Sequence, residues 1–304
     1  MEQKNGNVTA FPFTQKVISI DAVKIGNTLP FSLLCGPCQI ESQQHAIDIC
    51  GAMVEITKDL GIPYVFKASF DKANRSSIKG ARGVGLEKGM ETFDEIKKLY
   101  PNLPIVTDVH ETWQCAEVAQ HVDMLQIPAF LCRQTDLLVA AAKTGKIINI
   151  KKGQFLAPED MKNAVQKCVD SGNSQVCLTE RGTSFGYHTL IVDMTGFATM
   201  AKTTGCPVIF DATHSVQKPG GLGTATGGNR EMAPILARAA IAAGVGGLFM
   251  ETHENPDKAL SDGPNTIALS NMKSILAYLK EYDMLTKSKI NDYYQECGLL
   301  TKAI

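Results

Sequence analysis

The chain has 304 residues, of which 44% are hydrophobic, and its formal net charge is −1. This length suits either two average domains or a single α/β barrel, and the hydrophobic fraction is sufficient for a large core. Because acidic and basic residues are nearly balanced and interspersed, neither nucleic acid nor an anionic membrane surface is expected as a partner. The sequence has no apolar run approaching the ~20 residues that a membrane helix needs.

The first residues and the cysteines favour a cytoplasmic location. Residues 1–15 lack the basic and then apolar pattern of a secretory signal, and we expect them to form a flexible tail. The nine cysteines are odd in number and lie mostly in apolar segments. Such cysteines are typical of free buried thiols in a reducing compartment rather than of a disulfide framework.

Short apolar runs and amphipathic stretches alternate along the chain. Residues 16–26 alternate apolar and polar side chains, which predicts an exposed β-hairpin. Strands are predicted at 31–35, 64–68, 104–108, 123–127, 147–151, 175–180, 207–211 and 247–251. Helices are predicted within 42–61, 90–100, 135–145 and 158–172, and a terminal helix and tail at 282–304.

Eight strand–helix units with no break in composition predict one (β/α)8 TIM barrel domain over residues 16–304. The predicted hairpin forms the amino-terminal part of this domain. The alternative is a doubly wound open sheet. That fold usually has fewer strands and a Gly-rich phosphate-binding fingerprint after the first one, which this sequence lacks.

A polar or ionisable residue stands where each predicted strand ends. In chain order these residues are Cys38, Lys67, Asp108, Gln126, Lys151, Arg181, Asp211 with His214, and Glu251. Barrel enzymes build their active sites at the carboxyl ends of the strands. One polar residue after a strand is commonplace, but eight in eight strands, three of them cationic, predict an enzyme mouth that binds anions.

The stretch 207–231 is the centre of the predicted site. A buried strand turns at Asp211 into a polar tip carrying His214, and a Gly-rich loop at 220–228 follows. A buried strand that runs into such a loop is typical of an active-site edge. Since glycine permits large backbone changes, we expect the loop to close over substrates.

Four residues form a candidate metal site: Cys38, His214, Glu251 and Asp262. A thiolate, an imidazole and two carboxylates suit a divalent ion such as Zn²⁺, Fe²⁺, Mn²⁺ or Co²⁺. The alternative is that His214 is a hydrogen-bonding loop residue and that the carboxylates are solvated.

The Cys35-Gly-Pro-Cys38 motif also matches the redox dithiol of thioredoxin-like proteins. That fold is much smaller than 304 residues and does not repeat a strand–helix unit eight times. A structural zinc site would need a second ligand pair at zinc-ribbon spacing, which is absent. The motif therefore favours Cys38 alone as a metal ligand.

Residues 67–77 combine lysines, an arginine, an amide and hydroxyls after the second predicted strand. Arginine offers a planar fork and lysine a point charge to phosphate or carboxylate oxygens. Lys151 and Arg181 supply a second cationic pair, so two anionic substrates are predicted. A Schiff-base aldolase using Lys67 or Lys151 as nucleophile is an alternative.

Several segments resemble 3-deoxy-D-manno-octulosonate 8-phosphate synthases: IPYVFKASFDKANRSS, TDVHE, QIPAFLCRQTDLL, NIKKGQF, DATHSVQKPGG and SDGPN. The resemblance covers roughly residues 16–285. KANRS at 72–76 distinguishes it from the related 3-deoxy-arabino-heptulosonate 7-phosphate synthases, in which the corresponding string is similar to KPR[TS].

This resemblance implies condensation of phosphoenolpyruvate with D-arabinose 5-phosphate and water, with release of phosphate, in Kdo and lipopolysaccharide biosynthesis. The alternative is the heptulosonate reaction with erythrose 4-phosphate. Metal-dependent members resemble this chain in having Cys at position 38, where metal-independent members carry Asn. The resemblance also implies a homotetramer.

The resemblance further implies roles for individual residues. Phosphoenolpyruvate would be held by Lys72, Gln126, Lys151 and Arg181, with Lys67 nearby. Asn74 and Asp108 would contact the sugar hydroxyls. The sugar phosphate would be held by Arg75, Ser76 and, from a neighbouring subunit, Arg133 beside Phe130. Catalytic roles would fall to Lys67, Lys72, Asn74, Asp108, His214 and Asp262.

Overall fold

A computed structural model describes the backbone of residues 16–221 and 226–296 and the side chains as far as residue 289. The predicted tail at 1–15 lies outside these residues. Among the helices that are described, none is long and apolar enough to cross a membrane.

Eight parallel strands close into a barrel, as the sequence predicts. They are β3 (Ser32–Gly36), β4 (Tyr64–Lys67), β5 (Ile105–Asp108), β6 (Met124–Ile127), β7 (Ile147–Lys151), β8 (Val176–Glu180), β11 (Val208–Asp211) and β14 (Gly247–His253). Each pairs with the next, and the pairing of β14 with β3 closes the ring. The observed bounds lie within two residues of the predicted ones, because each strand is a short apolar run buried on both faces.

Helices surround the barrel. They are α1 (Gln43–Leu60), α2 (Leu86–Leu99), α3 (Gln114–His121), α4 (Thr135–Lys143), α5 (Met161–Asp170), α6 (Thr195–Thr204), α7 (Ala233–Ala242) and α8 (Leu269–Glu296). In α1 the Ser42 side chain caps the first turn by accepting from His45 N, and Gly61 ends the helix with φ 61°. The predicted start of the last helix at 282 is wrong, since α8 already begins at Leu269 and packs on α1 and α7.

The predicted hairpin is confirmed as β1 (Ile18–Ile20) and β2 (Val23–Ile25), which pair antiparallel. Its predicted exposure is wrong for one of its two faces. The apolar side chains of the hairpin are buried against the inward residues of the barrel strands, which are Leu34, Val65, Val106, Met124, Ile147, Cys177, Ile209 and Phe249. The hairpin therefore seals the amino-terminal end of the barrel, which an alternating pattern alone does not reveal.

Further short strands lie in the loops at the opposite, carboxyl-terminal end. Strands β9 (Thr183–Gly186) and β10 (Thr189–Ile191) form a largely exposed hairpin after β8. Strand β12 (Gln217–Lys218) pairs with β13 (Gly227–Gly228), and β15 (Ile267–Ala268) extends the sheet beside the end of β14. These additions, which the sequence pattern did not predict, shape the rim of the barrel mouth.

Candidate active site

A cavity of about 540 Å³ occupies the carboxyl-terminal mouth of the barrel. It lies where the strand ends deliver their polar side chains. Eleven of the predicted site residues line it: Lys67, Lys72, Asn74, Arg75, Ser76, Asp108, Phe130, Lys151, Arg181, His214 and Asp262. The closed barrel thus converts residues far apart in sequence into one surface rich in cations.

Three of the four predicted metal ligands converge beside this cavity, which Asp262 and His214 line and Cys38 and Glu251 do not. Ligand atoms of Cys38, Glu251 and Asp262 all lie within 4.8 Å of one another. The fourth residue, His214, places Nε2 3.4 Å from Glu251 Oε2 and 3.9 Å from Asp262 Oδ2. The four side chains therefore face a common point.

The donor set fits a divalent cation. Glu251 is fully buried, yet its Oε2 has no hydrogen-bond partner among the described residues. A buried carboxylate oxygen without a partner is costly unless a ligand satisfies it. Asp262 adopts a left-handed backbone conformation with φ 52°, which few residue types other than Gly, Asn and Asp accept readily, and this turns its carboxylate toward Cys38 Sγ at 3.4 Å.

The second oxygen of Glu251 is held by lysine. Lys67 Nζ donates to Glu251 Oε1 at 2.6 Å and to the carbonyl oxygen of Cys38 at 2.9 Å. Lys72 Nζ lies 3.9 Å from the same carboxylate oxygen. Burial raises the pKa of Glu251, but His214 and Lys67 outweigh it and hold that pKa below its usual range. Glu251 is therefore an anion fixed in orientation.

His214 is oriented from behind by Asp211, the last residue of β11. Asp211 Oδ2 lies 2.7 Å from His214 Nδ1 and accepts from Lys151 Nζ at 2.6 Å. Burial raises the pKa of Asp211, but His214 and Lys151 outweigh it and lower that pKa. Because Nδ1 faces Asp211, Nε2 is the ring nitrogen that faces Glu251 and Asp262 and can act as a metal ligand.

Asp108 lies at the end of a chain of side-chain hydrogen bonds inside the barrel. Thr179 Oγ1 donates to Asn149 Oδ1 at 2.7 Å, Asn149 Nδ2 donates to Gln126 Oε1 at 2.9 Å, and Gln126 Nε2 donates to Asp108 Oδ1 at 2.5 Å. Ser69 Oγ donates to the other oxygen. These hydrogen bonds hold Asp108 at the cavity wall. Gln126 itself does not line the cavity.

Two groups of cations line the cavity. Arg75 NH1 donates to Ser261 Oγ at 2.7 Å, which draws the loop after β4 toward the loop after β14. Arg181 NH2 donates to Gln217 Oε1 at 2.5 Å, whereas its NH1 is buried without a partner among the described residues. Lys151 stands beside the second group at the end of β7. Two sites for oxyanions in one cavity suit two anionic substrates.

Comparison with known proteins assigns this chain to a family. The model of the DAHP synthetase I family matches residues 10–288. The chain belongs to the DAHP synthetase I family.

Within that family the chain is similar to proteins named 2-dehydro-3-deoxyphosphooctonate aldolase. One from Rickettsia bellii (strain OSU 85-389) is 59% identical over 275 residues, covering 90% of this chain and all of that protein. One from Rhodopseudomonas palustris (strain HaA2) is 58% identical, with 90% and 95% of the two chains covered. One from Bradyrhizobium sp. (strain ORS 278) is 56% identical, with 95% and 99% covered.

The family fold does not bring every predicted site residue to the cavity of one chain. Arg133 is exposed and lines a separate surface depression with Asp160 and Lys167. Phe130, three residues earlier, lines the main cavity and is 55% exposed. A loop that spans both surfaces is consistent with Arg133 serving a neighbouring copy, and that role stays a prediction.

Several lining residues were missed in the sequence. His110, Glu111, Gln154 and Gln217 all face the cavity. His110 and Glu111 lie two and three residues after the end of β5, so the rule that strand ends point into the mouth could have found them. Gln154 and Gln217 lie farther along their loops, where only the folded backbone decides their direction.

A second group of metal-type side chains lies beside the loop after β14. Ligand atoms of Glu41, His45 and His253 lie within 4.8 Å of one another. His253 Nδ1 accepts from Asn255 N at 2.9 Å, and its Nε2 lies 3.4 Å from Glu41 Oε1. Glu41 Oε1 also accepts from Leu260 N, which ties down the loop after β14.

The Gly-rich loop and the CxxC motif complete the account of the predicted site. Residues 222–225 of the loop at 220–228 lie outside the described residues, and its closure over substrates stays a prediction. Cys35 and Cys38 are free and buried, and burial raises the pKa of both thiols. A redox dithiol needs an exposed thiol with a lowered pKa, so the thioredoxin-like alternative finds no support.

Proposed function

We propose that this protein condenses phosphoenolpyruvate with D-arabinose 5-phosphate and water, giving 3-deoxy-D-manno-octulosonate 8-phosphate and inorganic phosphate. The observation that carries the proposal is 56–59% identity, over 88–95% of the chain, to relatives named 2-dehydro-3-deoxyphosphooctonate aldolase. The relatives' name favours this reaction over the heptulosonate alternative with erythrose 4-phosphate.

The two cationic groups suit the two phosphorylated substrates. Lys72, Lys151 and Arg181 would hold phosphoenolpyruvate, the guanidinium with its open NH1 facing an oxygen of the ligand. Arg75 and Ser76, on the loop after β4, would hold the phosphate of the sugar. Charge-assisted hydrogen bonds of this kind are about twice as strong as neutral ones. Lys67 lies deeper and supports the site through Glu251.

Clamping both phosphates serves bond formation. The new bond joins C3 of phosphoenolpyruvate to the aldehyde carbon, water adds its oxygen at C2, and the phosphate group leaves from C2. Bringing the two carbons to about 3–3.5 Å in the right orientation removes much of the entropic barrier. Negative charge develops on the aldehyde oxygen, where the fixed cations of the mouth stabilise it without reorganising.

Asp108 and Asn74 would orient the sugar through its hydroxyl groups. Burial raises the pKa of Asp108, but Lys72 and Lys67 outweigh it and lower that pKa. The carboxylate is therefore ionised at neutral pH and accepts hydrogen bonds from hydroxyl donors. Gln126, assigned to phosphoenolpyruvate from the resemblance, fits better as the residue that fixes Asp108, because it donates to this carboxylate from behind the cavity wall.

We propose that Cys38, His214, Glu251 and Asp262 hold a divalent metal ion, either Zn²⁺, Fe²⁺, Mn²⁺ or Co²⁺. The unpartnered Oε2 of Glu251 and the convergence of the ligand atoms support this assignment. When bound, such an ion supplies Lewis acidity and a fixed point for orienting substrate or water. Lys67 and Asp211 would then hold the ligands Glu251 and His214 in place.

We propose that the protein is a homotetramer in which a neighbouring subunit completes the mouth of the barrel. Arg133 from a neighbouring subunit would join Arg75 at the sugar phosphate, and Phe130 would lie at that boundary. The exposure of both residues supports an interface there. The cytoplasmic location predicted from the sequence stays a prediction.

Phosphate release tests the reaction. The purified protein, supplied with Mn²⁺, is assayed with phosphoenolpyruvate and either arabinose 5-phosphate or erythrose 4-phosphate. We expect a clear preference in kcat/KM for the five-carbon sugar, since Asn74 replaces the Pro of the heptulosonate string. Comparable values for the two sugars would refute the proposed specificity.

One observation favours a Schiff-base aldolase as a second candidate. Burial lowers the pKa of Lys151, as catalytic amines require, although Asp211 opposes the shift. Borohydride reduction in the presence of substrates would then label Lys151 covalently. The proposed condensation leaves no such adduct, so an unlabelled, active enzyme excludes the aldolase.

A further inference from the structure

Gln217 lies between two residues that have different proposed roles. Its Oε1 accepts from Arg181 NH2 at 2.5 Å, and its Nε2 donates to Asp262 Oδ1 at 3.0 Å. Arg181 is a proposed ligand of phosphoenolpyruvate, and Asp262 is a proposed metal ligand. One neutral side chain thus bridges the anion-binding and the cation-binding parts of the cavity.

The cation and the carboxylate that Gln217 bridges attract each other. Burial lowers the pKa of Arg181, and the charges of Asp211 and Asp262 act against that shift. A guanidinium and a carboxylate form strong bidentate pairs when nothing stands between them. Such a pair would occupy the guanidinium that phosphoenolpyruvate needs and the carboxylate that the ion needs.

An amide is the side chain that can prevent this pairing while satisfying both partners. It accepts from the arginine on one side and donates to the aspartate on the other, and it carries no charge. Arg181 NH1 then stays unpartnered among the described residues, and Asp262 Oδ2 stays directed toward Cys38 Sγ at 3.4 Å. Glutamate could not donate to Asp262, and lysine could not accept from Arg181.

The backbone at Gln217 is held in place, which fixes the position of the amide. Gln217 pairs with Gly228 in the short β12–β13 ladder. A Cβ at Gly228 would meet Asn265 Oδ1 at 1.5 Å, so only glycine lets the ladder pack this closely on the loop after β14. The ladder brings the amide to the same rim that carries Asp262.

We propose that Gln217 is a positioning residue that keeps Arg181 and Asp262 apart, so that the guanidinium is available to phosphoenolpyruvate and the carboxylate to the divalent ion. This inference rests on the proposed function. It predicts that loss of the amide weakens two different ligands through one event, the collapse of Arg181 onto Asp262.

The test measures binding of each ligand separately by isothermal titration calorimetry. Mn²⁺ alone is titrated into the metal-stripped full-length protein, and phosphoenolpyruvate is titrated into the Mn²⁺-loaded protein. Gln217→Met keeps the length of the side chain and removes both hydrogen bonds. We expect the affinity for each ligand to fall on the order of tenfold, the usual effect of losing a hydrogen bond to a charged group.

The decisive arm is a second substitution. Arg181→Met alone should leave Mn²⁺ affinity nearly unchanged, whereas the double variant Gln217→Met/Arg181→Met should recover the Mn²⁺ affinity that the single Gln217 variant loses. Recovery follows because no cation is left to compete for Asp262, and a merely structural role of Gln217 would not produce it. The Mn²⁺ loss persisting in the double variant would overturn the proposal.

A control variant and a replacement variant complete the test. Gln166 on α5 also donates to a carboxylate, Asp170 Oδ1 at 2.7 Å, but it is exposed and does not line the cavity. Gln166→Met should bind both ligands as the wild type does. If Gln217→Met does not fold, Gln217→Asn takes its place, because the shorter amide cannot span both partners.

The Mn²⁺ titrations of the single and double variants do not depend on whether the protein catalyses the proposed reaction. A wild-type protein that releases no phosphate from phosphoenolpyruvate would refute the proposed function and leave the Mn²⁺ arms interpretable. If the wild type turns over and Gln217→Met binds Mn²⁺ and phosphoenolpyruvate with unchanged affinity, the positioning role of Gln217 is refuted and the proposed function is not.

Discussion

The two ends of the barrel are made by the same eight strands and differ in what those strands present. At the amino-terminal end, Ile18, Ile20, Val23 and Ile25 of the hairpin close an apolar cluster. At the carboxyl-terminal end, the strands deliver buried charges such as Lys67, Glu251 and Asp211. The barrel thus places stability and chemistry at opposite ends of the same strands.

The energetic contrast between the ends is equally clear. Apolar burial contributes roughly 25 cal/mol per Å² of surface removed from water. Buried ion pairs such as Lys67–Glu251 contribute little net stability, because removing two charges from water costs about as much as their attraction returns. Substitutions at the hairpin should therefore change the free energy of unfolding, and substitutions at the mouth should change activity.

The largest expected effect is at the metal ligands. Cys38→Ala removes the proposed thiolate ligand, and we expect phosphate release to fall more than about a hundredfold with loss of bound metal. Dialysis against a chelator should likewise abolish turnover in the wild type. Mn²⁺, Fe²⁺ or Co²⁺ should restore it better than Mg²⁺, which prefers oxygen ligands.

Cys35→Ala is the matched control for this prediction. Cys35 is equally buried but packs in the core rather than at the ligand group, so its variant should retain metal and activity. Cys38→Asn is a further comparison, since Asn occupies this position in the metal-independent branch of the family that the sequence resembles. Full turnover by the wild type with less than stoichiometric metal would contradict the assignment.

The next largest effect is expected at the sealed end. Ile25→Ala creates a cavity beneath the hairpin, and it should lower the free energy of unfolding by about 2–5 kcal/mol. Urea denaturation measures this loss, while kcat and KM of the folded variant should be unchanged. Val17→Ala serves as the control, because Val17 is 46% exposed. A fall in kcat at unchanged stability would break the separation between the two ends.

A smaller effect tests whether the mouth is complete within one chain. Arg133→Ala should weaken binding of arabinose 5-phosphate by about 1.5–3 kcal/mol, the loss of one charge-assisted phosphate contact. Affinity for phosphoenolpyruvate should stay nearly the same in calorimetric titrations. Lys162→Ala, an exposed cation on α5, is the control. Normal sugar-phosphate binding by a variant that sediments as a monomer would refute a shared site.

The last effect, on stability alone, concerns the helical layer, which belongs to neither end. Burial raises the pKa of Cys168 on α5 from 9.0 to about 12. The folded state therefore binds the thiol proton more tightly than the unfolded chain does. The stability from this thiol is fully present below pH 9 and is lost as the pH rises toward 12, by about 1.4 kcal/mol per pH unit.

Urea unfolding of Cys168→Ala, compared with the wild type under reducing conditions at pH 8.5 and 10.5, isolates this contribution. The variant should show a shallower loss of stability with rising pH, whatever its stability at pH 8.5. Equal slopes for the two proteins would show that Cys168 ionises in the folded state.

The sequence predicted the bounds of the barrel strands closely. It predicted poorly what packs against the hairpin and where the last helix begins. Runs such as 147–151 are apolar throughout, and a buried parallel strand requires that pattern. The hairpin at 16–26 shows alternation, which predicts the hairpin but does not reveal that one of its faces is buried against the end of the barrel. The start of α8 at Leu269 was missed because the stretch before 282 gives no strong helix-start signal after Ala268.

The site residues divide in the same way. Residues at strand ends, such as Lys151 and Asp211, could be placed from the barrel rule alone. The position of Gln217 depends on the β12–β13 ladder, and that of Gln126 on the hydrogen bonds inside the barrel. Both are outcomes of tertiary packing that no local pattern encodes.

The sealed end also has a practical consequence for anyone attaching this protein to something else. The backbone amide of Lys16 donates to the carbonyl of Gly205, just before β11 begins, so the described chain enters at the closed end of the barrel. A solid support or fusion partner joined directly to residue 16 would thereby be attached on the side opposite to the substrate entrance. Immobilisation through that side leaves the path of phosphorylated compounds into the mouth unobstructed.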